Sequence, residues 1–118
     1  MTNDPLAECP DAVRAYMRLT SGGDRAAAIV AFADAAHVTD DGHDYHGAAA
    51  VRTWLDRAAS EYTFTTTPLA VATDSPGRTI VTCHLEGNFP GSPVDLDYRF
   101  QIDPAQRIER LEIRVHTA

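Results

Sequence analysis

The apolar residues change their spacing near Ser60, and this change limits what the chain can fold into more than any other feature. Upstream they recur every three to four residues, which is typical of one helix face; downstream they recur every second residue, which is typical of a strand. Because helices come first and strands follow, the sequence predicts an α+β fold. We expect three N-terminal helices packed on a curved, mixed and mostly antiparallel sheet.

The predicted helices have clear start and stop signals. Asp4 with Pro5 begins the first helix, because proline is tolerated at the first helical position, and the glycines at 22–23 end it. Asp24 can cap the second helix, and Gly47 leads into the third. The expected apolar faces contain Val13, Tyr16, Met17 and Thr20; Ala26, Ile29, Val30 and Ala33; and Val51, Trp54, Leu55 and Ala58.

The strands are separated by turn signals. Asp41-Gly42 predicts a two-residue hairpin between strands at 37–40 and 43–45, because both residues tolerate positive φ angles. Pro68 indicates a bulge or a sheet edge in the next strand. The later strands are expected at 62–71, 79–86, 95–103 and 111–115, with Leu96, Tyr98, Phe100 and Ile102 on one face and Asp95, Asp97, Arg99, Gln101 and Asp103 on the other.

Length and charge exclude several classes of function. The 118 residues fit one domain, 1–118, and 44% of them are hydrophobic, which is enough for a core. The net charge of −7 disfavours partners such as nucleic acids and anionic membrane surfaces. No apolar run is long enough to span a membrane, and the start has no secretory pattern. Cys9 and Cys83 are far apart, which favours two reduced thiols in a cytoplasmic protein.

Tyr16 and Asp40 are the candidate catalytic residues. Asp40 shares a strand face with the apolar Val38, so it is expected to face the core, where a carboxylate becomes a stronger base. Tyr16 lies on the apolar face of the first helix and can donate a hydrogen bond to a substrate oxygen. Two plainer interpretations stay open: Asp40 caps an exposed turn, and Tyr16 is a core residue bonded to a backbone carbonyl.

The remaining candidates are wall residues and a polar cluster. Trp54, Phe64, Leu96 and Tyr98 are candidate walls of a substrate-binding pocket, and His84 could join them if its face of the sheet is concave. Histidines and aspartates crowd the predicted hairpin at 37–46, but alternation sends them to both faces and no metal-binding motif is present. A solvated hairpin is favoured there, and we expect neither a metal nor a cofactor.

Several segments together resemble the NTF2-like superfamily of ketosteroid isomerases and SnoaL-type polyketide cyclases. The most specific is the stretch from Gly23-Asp24 to Gly47; the segments 87–91 and 97–100 are also similar. The resemblance covers nearly the whole chain and implies a cone-shaped α+β barrel. It also implies that Tyr16 matches the oxyanion-hole tyrosine of the isomerases and Asp40 their catalytic base. Their second oxyanion donor, a carboxylic acid on a late strand, is Leu96 here.

Three functions are compatible with these observations. The leading one is an apolar small-molecule pocket that catalyses proton transfer, isomerisation or cyclisation on a carbonyl compound, with Asp40 as base and Tyr16 as donor. The others are a non-catalytic module that binds a small hydrophobic ligand, and a structural dimer or accessory domain. We also expect a homodimer, because residues such as Val71 and Ile80 leave apolar area on the outer face of the sheet.

Overall fold

A computed structural model describes residues 5–21, 23–61 and 63–116, with the backbone alone at 58–61. Two helical segments precede the first strand, and a longer helix follows the first hairpin. The elements are α1 (Asp11–Ser21), a 3₁₀ helix (Arg25–Ala31), β1 (Phe32–Asp40), β2 (His43–His46), α2 (Gly47–Glu61), β3 (Phe64–Ser75), β4 (Arg78–Gly87), β5 (Val94–Ile102) and β6 (Ile108–Val115).

The strands form a single six-stranded sheet in the order β2-β1-β6-β5-β4-β3. β1 and β6 run parallel, and the other neighbours are antiparallel, so the sheet is mixed and mostly antiparallel as expected. The prediction of a closed barrel is wrong, because β2 and β3 are the two edges of an open sheet. None of the helices in the described ranges is long and apolar enough to cross a membrane.

Three helical segments are present and the third begins at Gly47 as predicted, but three N-terminal helices are not confirmed, because only two segments precede the first strand. The third helix, α2, follows the β1–β2 hairpin, and the second segment is a 3₁₀ helix that ends at Ala31. Residues 32–36, which the apolar spacing assigned partly to that helix, begin β1, where Phe32 pairs with Ile108 of β6. Pairing with a distant strand overrides the local pattern here.

The 3₁₀ geometry changes which side chains face the core. Its three-residue period places Arg25, Ala28 and Ala31 on the buried side, whereas Val30 is 73% exposed. The predicted inward face of this segment is therefore wrong at Ala26 and Val30, which are both exposed. α1 also begins later than expected, at Asp11, where the N–H of Arg14 bonds to the carbonyl of Pro10.

The local signals of the sheet are confirmed. Asp41 and Gly42 have φ angles of 52° and 76° and connect Asp40 to its partner His43. The register of β3 shifts after Pro68, which is the predicted bulge. The core lies between the helices and one face of the sheet, and its fully buried side chains include Val13, Tyr16, Met17, Val38, Val51, Leu55, Val81, Cys83, Phe100, Ile108 and Leu111.

Candidate functional site

A cavity of about 760 Å³ opens between the helices and the core-facing side of the sheet. This volume is in the range of small-molecule sites. Its walls are mainly apolar and aromatic, and a few polar groups converge on it. Six of the seven predicted site residues line it: Tyr16, Asp40, Trp54, Phe64, Leu96 and Tyr98.

Tyr16 lies at the centre of an aromatic cluster in the wall of the cavity. Its side chain is 1% exposed, and its ring is parallel to that of Trp54 with the centroids 6.5 Å apart. Phe32 and Phe100 contact the Tyr16 ring edge-on. Burial raises the pKa of Tyr16 to about 12, and Arg25 opposes this shift only in part. Tyr16 therefore keeps its proton near neutral pH and can act as a hydrogen-bond donor.

Asp40 is held at the end of β1 by a hydrogen bond from the next element. The indole Nε1 of Trp54 donates to Asp40 Oδ2 at 2.9 Å. Asp40 is half-buried, and Val38, two residues before it, is fully buried, so the predicted shared face is confirmed. One oxygen of the carboxylate is thereby oriented by Trp54, and Asp40 itself lines the cavity.

Arg25 brings a positive charge into the same cavity. The residue is only 9% exposed, and its guanidinium carbon lies 5.3 Å from the centre of the Trp54 ring. Its Nε donates to the carbonyl of Leu55 over a long 3.4 Å, and its charge and hydrogen bonding both lower the pKa of Tyr16. Trp54 therefore contacts three polar groups of the site: Tyr16, Asp40 and Arg25.

The sheet contributes the opposite wall. Tyr98 is 7% exposed, and burial raises the pKa of its hydroxyl well above the ordinary value. Leu96 is half-buried beside it and gives this wall an apolar surface where the resemblance implied an acidic group. The neighbouring acids point away, as alternation predicted: Asp95 binds His84, and Asp97 binds Thr82.

His84 does not line this cavity, so its predicted role in substrate binding is wrong. Cys83 and Leu85 are buried on the core side of β4, and His84 between them projects to the outer side. There its Nδ1 lies 2.7 Å from Asp95 and its Nε2 lies 3.2 Å from Glu86. These hydrogen bonds, first that to Asp95, raise the pKa of His84.

The polar cluster of the β1–β2 hairpin forms a hydrogen-bond network. Arg110 donates to His37 Nδ1 at 2.7 Å, and the other ring nitrogen of His37 lies 2.9 Å from Asp44. His46 stacks on His37 with the ring centres 4.0 Å apart. Within the described ranges, no group of three or more His, Cys, Asp or Glu residues is arranged to hold a metal ion.

Sequence reasoning missed Arg25 and the loop that forms one side of the cavity mouth. Phe89, Pro90 and Gly91 line the cavity, and the Phe89 ring meets Phe64 edge-on at 6.0 Å. The similarity of segment 87–91 to the superfamily was a signal for the loop. The sequence contained no such signal for Arg25, because an α-helix over residues 25–31 would not place its side chain in the core.

Comparison with known proteins agrees with this architecture. A candidate polyketide cyclase from Sinorhizobium meliloti is 36% identical over 91% of this chain and 96% of its own, with a TM-score of 0.83. An epoxide hydrolase/cyclase-like enzyme of pyran ring formation in the polyether salinomycin is 17% identical over 91% and 89%, with a TM-score of 0.76. A Mycobacterium tuberculosis protein in complex with estradiol-17β-hemisuccinate is 19% identical over 86% and 88%, with a TM-score of 0.72.

The last two similarities show the fold alone, whereas the first extends to sequence over almost the whole of both chains. No family model and no curated protein matches the chain. The chain therefore shares its α+β architecture with this relative, and an aromatic cavity opens between the helices and the sheet. The chain belongs to the NTF2-like superfamily.

Proposed function

We propose that the protein transfers protons on a carbonyl compound bound in this cavity, as an isomerase or a cyclase does. The observation that carries the proposal is the convergence of a carboxylate and a buried phenol on one aromatic ring. Asp40 is oriented by the Trp54 indole, and Tyr16 is stacked parallel to that indole. Both side chains line the cavity, which also has room for a substrate.

The chemistry follows from what each group can do. Asp40 would take the proton from the carbon next to the carbonyl, and the electron pair of the broken C–H bond would move onto the carbonyl oxygen. Tyr16 would donate a hydrogen bond to that oxygen as its negative charge develops. Return of the proton to another carbon completes an isomerisation. Alternatively, attack of the enolate carbon on a second carbonyl closes a ring, and the proton held by Asp40 passes to the alkoxide oxygen that this attack forms.

The main alternative is a non-catalytic module that binds a small hydrophobic ligand. One observation favours it: a protein of the same fold binds estradiol-17β-hemisuccinate. The third reading, a structural accessory domain, expected a cavity filled by side chains, and a cavity of about 760 Å³ argues against it.

Exchange of carbon-bound hydrogen in heavy water tests the proposal without knowledge of the product. A panel of cyclic and aromatic ketones is incubated with the protein, and NMR follows deuterium entry next to the carbonyl. The wild type should accelerate exchange for at least one ketone. Asp40→Asn should lower that rate by about 10²–10⁴, and Tyr16→Phe by about 10²–10³.

Asp34→Asn is the matched control, because Asp34 is an exposed carboxylate on the same strand. It should exchange at the wild-type rate. Ketones that bind in the cavity but exchange no faster than in buffer would support the binding module instead. Exchange that survives in Asp40→Asn would remove Asp40 from the role of base.

A further inference from the structure

Arg25 places a buried positive charge in the wall of the cavity. It is only 9% exposed, and its hydrogen bond within the described ranges, a long one to the carbonyl of Leu55, gives it no negative partner. No carboxylate within the described ranges forms an ion pair with it. The nearby carboxylate of Asp40 accepts its hydrogen bond from Trp54.

A buried guanidinium without a counter-ion destabilises a folded protein, because arginine stays charged and loses its hydration on burial. The Trp54 ring stabilises the cation from one side, but such a contact contributes only ~0.5–2 kcal/mol. Since Arg25 lines the cavity, its guanidinium can donate hydrogen bonds to a bound molecule.

We propose that the cavity is a site for an organic carboxylate with an apolar body, and that Arg25 is the residue that binds its carboxylate group. This inference rests on the proposed function and names its substrate class. The planar guanidinium suits a carboxylate, which it can bind with two parallel hydrogen bonds. The apolar body would lie against Trp54, Leu96 and Tyr98, which form walls of the same cavity.

A ligand bound to Arg25 by its carboxylate would also lie close to the two candidate catalytic residues. The charge of Arg25 lowers the pKa of Tyr16, and Asp40 accepts a hydrogen bond from the same Trp54 ring that the guanidinium contacts. An acid held at Arg25 therefore presents the carbons near its carboxylate to Tyr16 and Asp40. Keto acids with an apolar ring or chain meet both requirements, the anionic anchor and the carbonyl.

A matched pair of ligands tests the proposal. Naphthylacetate carries a carboxylate, and naphthylacetone replaces one carboxylate oxygen by a methyl group, which keeps the shape and removes the charge. Calorimetry gives both affinities. The chain has a single Trp, so its indole N–H gives one NMR resonance that reports occupancy beside Trp54. The wild type should bind naphthylacetate about 10- to 100-fold more tightly than naphthylacetone.

Arg25→Met keeps an unbranched apolar stem and removes the charge. It should lose that 10- to 100-fold preference and bind naphthylacetone at the wild-type affinity, whereas Arg25→Lys should recover part of the preference. Without ligand, Arg25→Met should melt at or above the wild-type temperature, because an uncompensated buried charge is gone. Arg18→Met is the control, since it makes the same charge change at an exposed position of α1.

Three results would overturn the inference in distinguishable ways. Equal wild-type affinity for the two ligands would refute the carboxylate site and leave the pocket of the proposed function intact. An Arg25→Met protein that melts earlier and loses both ligands alike would show that Arg25 is only structural. If neither ligand shifts the Trp54 resonance, ligand binding in the cavity is refuted, and the proposed function, which depends on it, is refuted as well.

Discussion

The hydrogen bond from Trp54 to Asp40 gives a quantitative test of the site geometry. We consider Trp54→Phe, which keeps an aromatic ring parallel to Tyr16 but removes the indole N–H that lies 2.9 Å from Asp40 Oδ2. A hydrogen bond to a charged group is worth ~1.5–3 kcal/mol. Because Asp40 is half-buried and water can replace part of it, the lower end, about 1.5 kcal/mol, applies.

The smaller ring adds a second loss. Phenylalanine fills less of the space between Tyr16, Tyr45 and Arg25, and its face attracts a cation less strongly than that of tryptophan. We assign about 1 kcal/mol to this packing loss. The free energy of unfolding should therefore fall by about 2–3 kcal/mol, a large part of the ~5–15 kcal/mol expected for a small domain.

A double-mutant cycle separates the two contributions. Urea unfolding followed by circular dichroism is measured for the wild type, Trp54→Phe, Asp40→Ala and the double variant. In the Asp40→Ala background, Trp54→Phe should cost only the packing loss, so the coupling energy should be about 1.5 kcal/mol. A coupling energy below about 0.5 kcal/mol would mean that Trp54 does not orient Asp40 in solution.

Three further outcomes are expected. His84 has a raised pKa, first through its hydrogen bond with Asp95, so its stabilisation is present below about 6.5 and is lost as the pH rises through the raised value; His84→Gln should therefore reduce urea stability more at about pH 5 than at about pH 9. Because Leu96 supplies no second oxyanion donor, turnover of a β,γ-unsaturated ketosteroid should stay at least ~10² below the diffusional ceiling; a rate at the ceiling would show that another donor acts there. We also propose a homodimer in solution, which a monomer mass in sedimentation at micromolar concentration would refute.

Local signals predicted the parts of the fold that short stretches of chain determine. The turn at Asp41-Gly42 needs positive φ at both positions, and few other residue pairs accept this without strain. Alternation along β5 put Tyr98 and Phe100 on one face, and because that face is apolar and the other is charged, it is the face that packs inward. The position of Asp40 followed from alternation with Val38, that of Tyr16 followed from the helical spacing of α1, and the resemblance strengthened both.

Non-local interactions decided the rest, and there the sequence was insufficient. Alternation says that His84 and Cys83 face opposite sides of β4, but only the packed helices decide which side is the core. The apolar spacing near Phe32 fits a helix, but pairing with Ile108, far along the chain, makes it a strand. The open edges β2 and β3 likewise depend on how far the whole sheet curves.

Arg25 and Leu96 together suggest how this pocket differs from an isomerase that uses two neutral donors. The resemblance implied a second donor on the late strand, and the residue there is apolar. A cation enters instead from the 3₁₀ helix, whose three-residue period turns Arg25 inward. A neutral acid stabilises an oxyanion only through a hydrogen bond, whereas a buried guanidinium also attracts a ligand that is already charged. Because the polar group of the site is Arg25 rather than an acid at position 96, we expect the pocket to prefer anionic ligands over neutral ketones. Leu96→Asp should weaken naphthylacetate binding, because it places a second negative charge in the same cavity.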